Sequence, residues 1–196
     1  MNIDYFKETR ILDGGMGQEL LVKGMEPKGT LWSANAILNK KYHQLLLDTH
    51  LDFIKSGAEV IVTATFTTRR LRLRDNNIED KFEYLNKKAG EIAKKAKELY
   101  PHVLIAGGIP PQYLTYEEDT RPDNEIKKNF FEQAELLNPY VDFFYFDVLS
   151  SVKEFKLAIE AIKTFNKPYL IGAHISEGVL LPSGEKISDI VNKIKH

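Results

Sequence analysis

The chain of 196 residues contains no cysteine. This excludes disulfides, a thiolate nucleophile, and any zinc or iron–sulfur site built on cysteines of this chain. It also lacks an excess of either charge, with 27 basic residues against 28 acidic ones and a formal net charge of −1. So balanced a composition gives no electrostatic basis for holding nucleic acid or an anionic membrane. No apolar run approaches the length needed to cross a bilayer. The opening Met1-Asn2-Ile3-Asp4-Tyr5-Phe6-Lys7 has neither the basic start nor the apolar stretch of a secretory signal. These absences lead to the expectation of a cytoplasmic protein with no nucleic-acid or membrane partner. What the chain does have is core-forming material, including 11 Phe and 9 Tyr, enough for a single substantial domain over residues 1–196.

Short apolar runs alternate with amphipathic stretches throughout. Arg10-Ile11-Leu12 reads as a first strand, ended by Asp13-Gly14-Gly15. Tyr42, Leu45, Leu46, Phe53 and Ile54 fall on helical spacing, and Ser56-Gly57 ends that helix because glycine accepts the left-handed conformation. Val60 to Phe66 is β-branched and apolar on both faces, as a buried parallel strand would be. Phe82, Leu85, Ala89, Ile92, Ala96 and Leu99 form the cleanest helical stripe, followed by a strand at Val103 to Ala106 that runs into a Gly107-Gly108 turn. A helix is expected from about Asp123, read as its N-cap, to Leu137, before Asn138-Pro139. Val141 to Phe146 is the fourth strand. Ser150 or Ser151 caps the helix that follows it, and Tyr169 to Ile175 is the fifth strand. Ile187, Ile190, Val191 and Ile194 mark a last amphipathic segment.

Strand then helix, about five times over, predicts a parallel sheet with helices outside it. An open doubly wound sheet and part of an eight-unit (β/α) barrel both fit that pattern. Asp13-Gly14-Gly15-Met16-Gly17 is not a dinucleotide-binding glycine turn, so that version of the open sheet is poorly supported. In either architecture chemistry gathers at the C-terminal ends of the strands. Those ends carry Asp13-Gly14-Gly15, Thr65-Phe66-Thr67-Thr68, Gly107-Gly108, Asp147 and His174-Ile175-Ser176.

At this point the order of the motifs becomes recognisable. Ile11 to Leu20, with its Asp-Gly-Gly-Met-Gly core, and Leu31-Trp32-Ser33-Ala34 resemble the opening of the homocysteine S-methyltransferase family. The resemblance continues through His50 to Ile61, Thr63-Ala64-Thr65-Phe66, Gly107-Gly108, Phe146-Asp147-Val148 with Glu154, and Leu181-Pro182-Ser183-Gly184-Glu185. It implies an α/β fold of parallel (β/α) barrel type, incomplete here because the chain is read as stopping after the fifth unit. It also implies transfer of a methyl group from a sulfonium, betaine or similar donor to homocysteine, giving methionine.

The family activates the homocysteine thiol on zinc held by three cysteines from later strands. Zinc is therefore expected for the family but not through cysteines of this chain. The expected substrate-binding set is Asp13, Gly14, Gly15, Thr65, Phe66 and Asp147, with Asp13, Gly14 and Asp147 holding the ammonium and carboxylate of the amino acid. No catalytic residue is assigned. The family usually has Glu-Thr where this chain has Asp147-Val148, one methylene shorter.

Plainer readings stand beside these. Asp13 between a strand and two glycines is also a turn former, and Asp147 also a helix cap. His174 is read as a packed or partly exposed strand-end histidine rather than a ligand. Asp13, Asp147 and His174 would suit a harder metal ion, but such residues meet at strand ends by chance, and no metal ligand is assigned. The basic run Arg69, Arg70, Arg72 and Arg74 offers a place for an anionic donor or a phosphate. Its plainer reading is a solvated loop paired with Asp75, Glu79 and Asp80. The expected partners are homocysteine and a methyl donor, together with a complementary chain or self-association through exposed sheet edges. The alternatives are a catalytically inactive remnant or amino-acid-binding protein, and an assembly protein with an open parallel sheet.

Overall fold

A computed structural model describes residues 3–194. In chain order the elements are α1 (Met16–Val22), α2 (Ala34–Leu38), α3 (His43–Lys55), β1 (Val60–Val62), α4 (Arg70–Asp75), α5 (Phe82–Leu99), β2 (Leu104–Ile109), α6 (Asp123–Leu137), β3 (Phe143–Leu149), α7 (Val152–Ile162), β4 (Tyr169–Ala173) and α8 (Ile187–Ile194). The four strands form one sheet in the order β1-β2-β3-β4, and every pair is parallel. The predicted first strand is present only as a single parallel bridge between Leu12 and Val60. Backbone bonds from Glu59 and Val60 to Ile11, and from Asp13 to Val60, tie it beside β1.

Alternation along the strands sorts the core into two faces. Ile61, Ile105, Ile109, Phe144 and Phe146 point toward the helices and pack with Ile126, Phe130, Phe155 and Ile162 in one buried cluster. Val60, Ala106 and Phe143 face the other way, where Phe6 meets Phe143 edge-on at 5.2 Å between ring centroids. Further along the chain direction, that same inner face carries Val62, Gly108, Tyr145 and Asp147, which open onto a cavity.

Several expectations are revised. The strand predicted over Val60 to Phe66 ends at Val62, where the Thr63 and Thr65 hydroxyls bond each other, Thr65 donating to the Gly108 carbonyl and Thr63 accepting from the Gly108 amide. Gly107-Gly108 is not a turn but the interior of β2. A Cβ on Gly108 would sit 2.8 Å from Val62 Cγ1, so the glycine serves close strand packing. Asp123 is the first residue of α6 rather than its N-cap, which is Pro122. Asp142 lies before β3, where it accepts from Lys97 and from the Ile105 amide. Leu99, at the end of its stripe, is exposed.

Other local expectations hold for clear reasons. Gly57, at φ +109°, follows α3 in the conformation expected of it. Ser151 caps α7 by accepting from the Glu154 amide at 3.2 Å. The Glu154 carboxylate reciprocates by accepting from the amide of Ser150, the residue before the cap.

Candidate functional site

A cavity of about 900 Å³ opens at the C-terminal edge of the sheet. Its walls come from the turn after Leu12 (Asp13 to Gln18), the segment after β1 (Thr63, Ala64, Phe66, Thr67, Arg72) and the loop after β2 (Thr115, Tyr116). Tyr145 and Asp147 of β3 complete it, together with Trp32 and Ser33.

The Asp13 side chain is 4% exposed, and its Oδ2 accepts from the Val62 amide at 2.9 Å. Burial pushes this carboxyl up to about 7, against the opposing pull of that hydrogen bond. Behind it, His50 is fully buried with both ring nitrogens unpartnered, Nδ1 lying 4.0 Å from Asp13 Oδ2. Desolvation lowers His50 to about 4, so a neutral imidazole backs the acid. Asp147 is also raised by burial, while a 3.0 Å hydrogen bond from Tyr145 Oη opposes the rise.

Next to Asp147, Val148 takes φ +50°, a rare conformation for a β-branched residue. The register with β4 shifts between Phe146 and Leu149 at the same place. Bulges of this kind re-aim side chains at the ends of strands. Asp147 stands on this one.

Of the predicted set, Asp13, Gly14, Gly15, Phe66 and Asp147 line the cavity together. Thr65 does not. It is fully buried, and its hydroxyl bonds to Gly108 O at 2.5 Å and to Thr63 Oγ1 at 2.8 Å, fastening the end of β1 to β2. His174 stacks on Tyr116 at 4.4 Å between ring centroids, as a packed strand-end residue. Among the described residues no three His, Asp or Glu side chains are grouped to hold a metal ion, so the alternative site of Asp13, Asp147 and His174 does not form.

The basic run is not a solvated loop. Most of it is helix α4, and Arg69 at its start is 1% exposed. Arg74 pairs with Glu79 at 2.8 Å as expected, and Arg70 reaches both Glu79 at 3.7 Å and Glu132 at 2.7 Å. Residues that sequence reasoning missed include Tyr145, Tyr116, Thr115 and His50. Only Tyr145 carried a usable signal, since it sits two residues before Asp147 and therefore on the same strand face.

Polar groups converging on one cavity at the C-terminal edge of a parallel sheet define a small-molecule site of the (β/α) type. Residues 10–196 match the homocysteine S-methyltransferase family model, and the chain belongs to that family. It is similar to betaine–homocysteine S-methyltransferase 1 of Rattus norvegicus, 30% identical over 168 residues that make up 82% of this chain and 39% of the rat protein. It is also similar to the homocysteine S-methyltransferase of Escherichia coli (strain K12), 27% identical over 64% of this chain and 43% of that protein. The chain thus spans less than half the length of these two curated relatives. The crystal structure of the homocysteine methyltransferase MmuM from Escherichia coli, in its metallated form, superposes with a TM-score of 0.85 at 22% identity. The match covers 96% of this chain and 71% of that one. That likeness decides the architecture: the parallel sheet is part of a (β/α) barrel, not an open doubly wound sheet. No helix among the described residues is long and apolar enough to cross a membrane.

Proposed function

We propose that this chain supplies the amino-acid-binding rim of a homocysteine S-methyltransferase, which moves a methyl group from a sulfonium or betaine-type donor to homocysteine and yields methionine. What carries this reading is the meeting of Asp13 and the Tyr145–Asp147 pair on one cavity in a chain of this family. Two carboxylates on a partly desolvated wall favour an ammonium group. An arriving ammonium would hold Asp13 in its charged form. Gly14 and Gly15 bring bare backbone to the same wall, within reach of the ligand's carboxylate. Trp32 and Phe66 flank the space left for the reacting groups. In the transfer a new S–C bond forms while the donor's C–S or C–N bond breaks, its electron pair staying with the donor.

The thiol of homocysteine must lose its proton first, and a free thiol holds it up to a pKa of about 8.5. The family's cysteine-bound zinc does not fit the residues present here. The sequence has no cysteine, and the described residues group no alternative donor set. No step through zinc is therefore assigned to this chain. We assign thiol activation to a complementary polypeptide that docks on the sheet edges, where β4, among the described residues, has a neighbour on one side only. The setting we propose is cytoplasmic, with no nucleic acid or membrane as partner.

The test is to combine the chain with a polypeptide carrying cysteine-bearing barrel units, zinc, homocysteine and S-methylmethionine, and to assay methionine. A verified zinc-loaded complex that transfers no methyl group overturns the proposal. The lack of metal donors favours a second reading, an amino-acid-binding protein without turnover. That reading predicts homocysteine binding by calorimetry and no methionine from the same mixture.

A further inference from the structure

The four arginines of the basic run divide into two pairs. Arg70 and Arg74 are engaged with Glu132 and Glu79. Arg69 and Arg72 form no ion pair among the described residues. Arg69 is 1% exposed; its Nη2 donates to Thr115 Oγ1 at 2.8 Å, while its Nε and Nη1 have no partner. Its guanidinium carbon lies 5.7 Å from the Phe66 ring centroid, near the outer limit for a cation–π contact. Arg72 lines the cavity directly, and its Nε is likewise buried without a partner.

A desolvated, unpaired guanidinium such as that of Arg69 is costly, and the half-buried Arg72 three residues on also repels it. Burial pulls Arg69 down to about 10, with Arg72 adding to the effect and Asp75 offsetting part of it. A protein interior holds such groups cheaply only when an anion comes to them.

We propose that Arg72, backed by Arg69 and Thr115, is an anion subsite of this cavity that takes the carboxylate of a bound ligand. Guanidinium forks match carboxylates in geometry as well as charge. The wall built from Asp13 and Asp147 calls for a cation and the wall built from Arg72 for an anion, so the cavity is complementary to zwitterions. The inference deepens the reading of the cavity as an amino-acid site and rests on it. A carboxylate has two sources here, the homocysteine-type amino acid and a betaine-type donor.

The experiment follows Trp32 fluorescence, since this single tryptophan lines the same cavity. The full chain is titrated with homocysteine and homocysteamine, which lacks the carboxylate, and with betaine and choline, which differ in the same way. Arg72→Gln is expected to weaken one carboxylate ligand about tenfold or more, the loss of one charge-assisted bond. Its carboxylate-free counterpart should be left unchanged, and Arg72→Lys should keep part of the affinity. The pair that responds identifies the source. An equal effect on both members of each pair, or no effect on any ligand, overturns the subsite.

Acetate is the probe that does not depend on the amino-acid reading. An Arg72-dependent acetate signal without homocysteine or betaine binding keeps the subsite and removes the amino-acid assignment. Silence from all five compounds overturns both. Melting curves of the variants confirm that each is folded.

Discussion

Tyr145 Oη donates to Asp147 Oδ1 at 3.0 Å, two residues along the same face of β3. The phenol is raised well above its ordinary range by burial and by the neighbouring carboxylate, so it stays a donor at every physiological pH. The bond in turn restrains the rise that burial imposes on Asp147. One hydrogen bond thus favours the charged form of an acid that burial drives toward the neutral one.

Tyr145→Phe should therefore raise the Asp147 pKa further. If Asp147 holds an ammonium group, the acid limb of homocysteine affinity moves to higher pH in this variant, while affinity on the alkaline side changes little. Calorimetry across pH 5 to 9 reads this directly. An unshifted limb would mean that Asp147 takes no part in binding.

Asp13 sets a second pH dependence, this one in stability. Its folded pKa of about 7 stands above the ordinary carboxylate value of 3.8. The native state therefore favours the protonated acid, and stability present below the ordinary value is lost as pH rises toward 7. Asp13→Asn can still accept from the Val62 amide but carries no charge. It should stabilise the protein at pH 8 by something on the order of 2–4 kcal/mol and by little at pH 4. The same variant should lose homocysteine binding. Urea melts at the two pH values, paired with calorimetry, check both halves.

The rhythm of the sheet was legible because both faces of its strands are apolar and the helical stripes are regular. The acids at positions 13 and 147 were legible because strand ends are where a parallel sheet exposes chemistry. What escaped was fixed by partners distant in the chain. Thr65 looks like a site residue until its hydroxyl finds Gly108 O, 43 positions away. Arg69 looks like a surface residue until α4 turns it inward against Thr115, 46 positions away. The first strand, read as the short run Arg10 to Leu12, pairs only at Leu12.

Gln133 is another such case, a polar residue on the buried side of α6. Its amide nitrogen donates to Thr65 O at 3.1 Å and Asn86 Oδ1 at 3.1 Å, and its Oε1 accepts from Gln112 at 2.9 Å. It joins the segment after β1 to α5 and to the loop after β2. Gln133→Leu keeps the volume but removes these three hydrogen bonds, at a cost of about 2–3 kcal/mol. A fall in the denaturation midpoint with unchanged m-value checks this. A neutral result would show that the network does not carry the segment.

Two glycines separate the packing of the sheet from the tuning of the site. A Cβ at Gly108 would meet Val62 Cγ1 at 2.8 Å and Thr63 O at 3.2 Å, where backbone is involved and little can yield. Gly108→Ala should therefore cost about 1–3 kcal/mol of stability, as overpacking does. A Cβ at Gly172 would instead meet Tyr145 Oη at 3.1 Å and Asp147 Oδ1 at 3.4 Å, the two atoms joined at the rim. The tyrosine hydroxyl is the far end of a side chain and can move aside, so Gly172→Ala should cost less than about 1 kcal/mol. What it should lose is the alignment of that hydrogen bond. Homocysteine affinity should then fall with the same shift of the acid limb as in Tyr145→Phe, although residue 172 belongs to a different strand. If instead Gly172→Ala lowers the melting temperature as much as Gly108→Ala and leaves the pH profile in place, the Tyr145–Asp147 pair is part of the scaffold and not of the site.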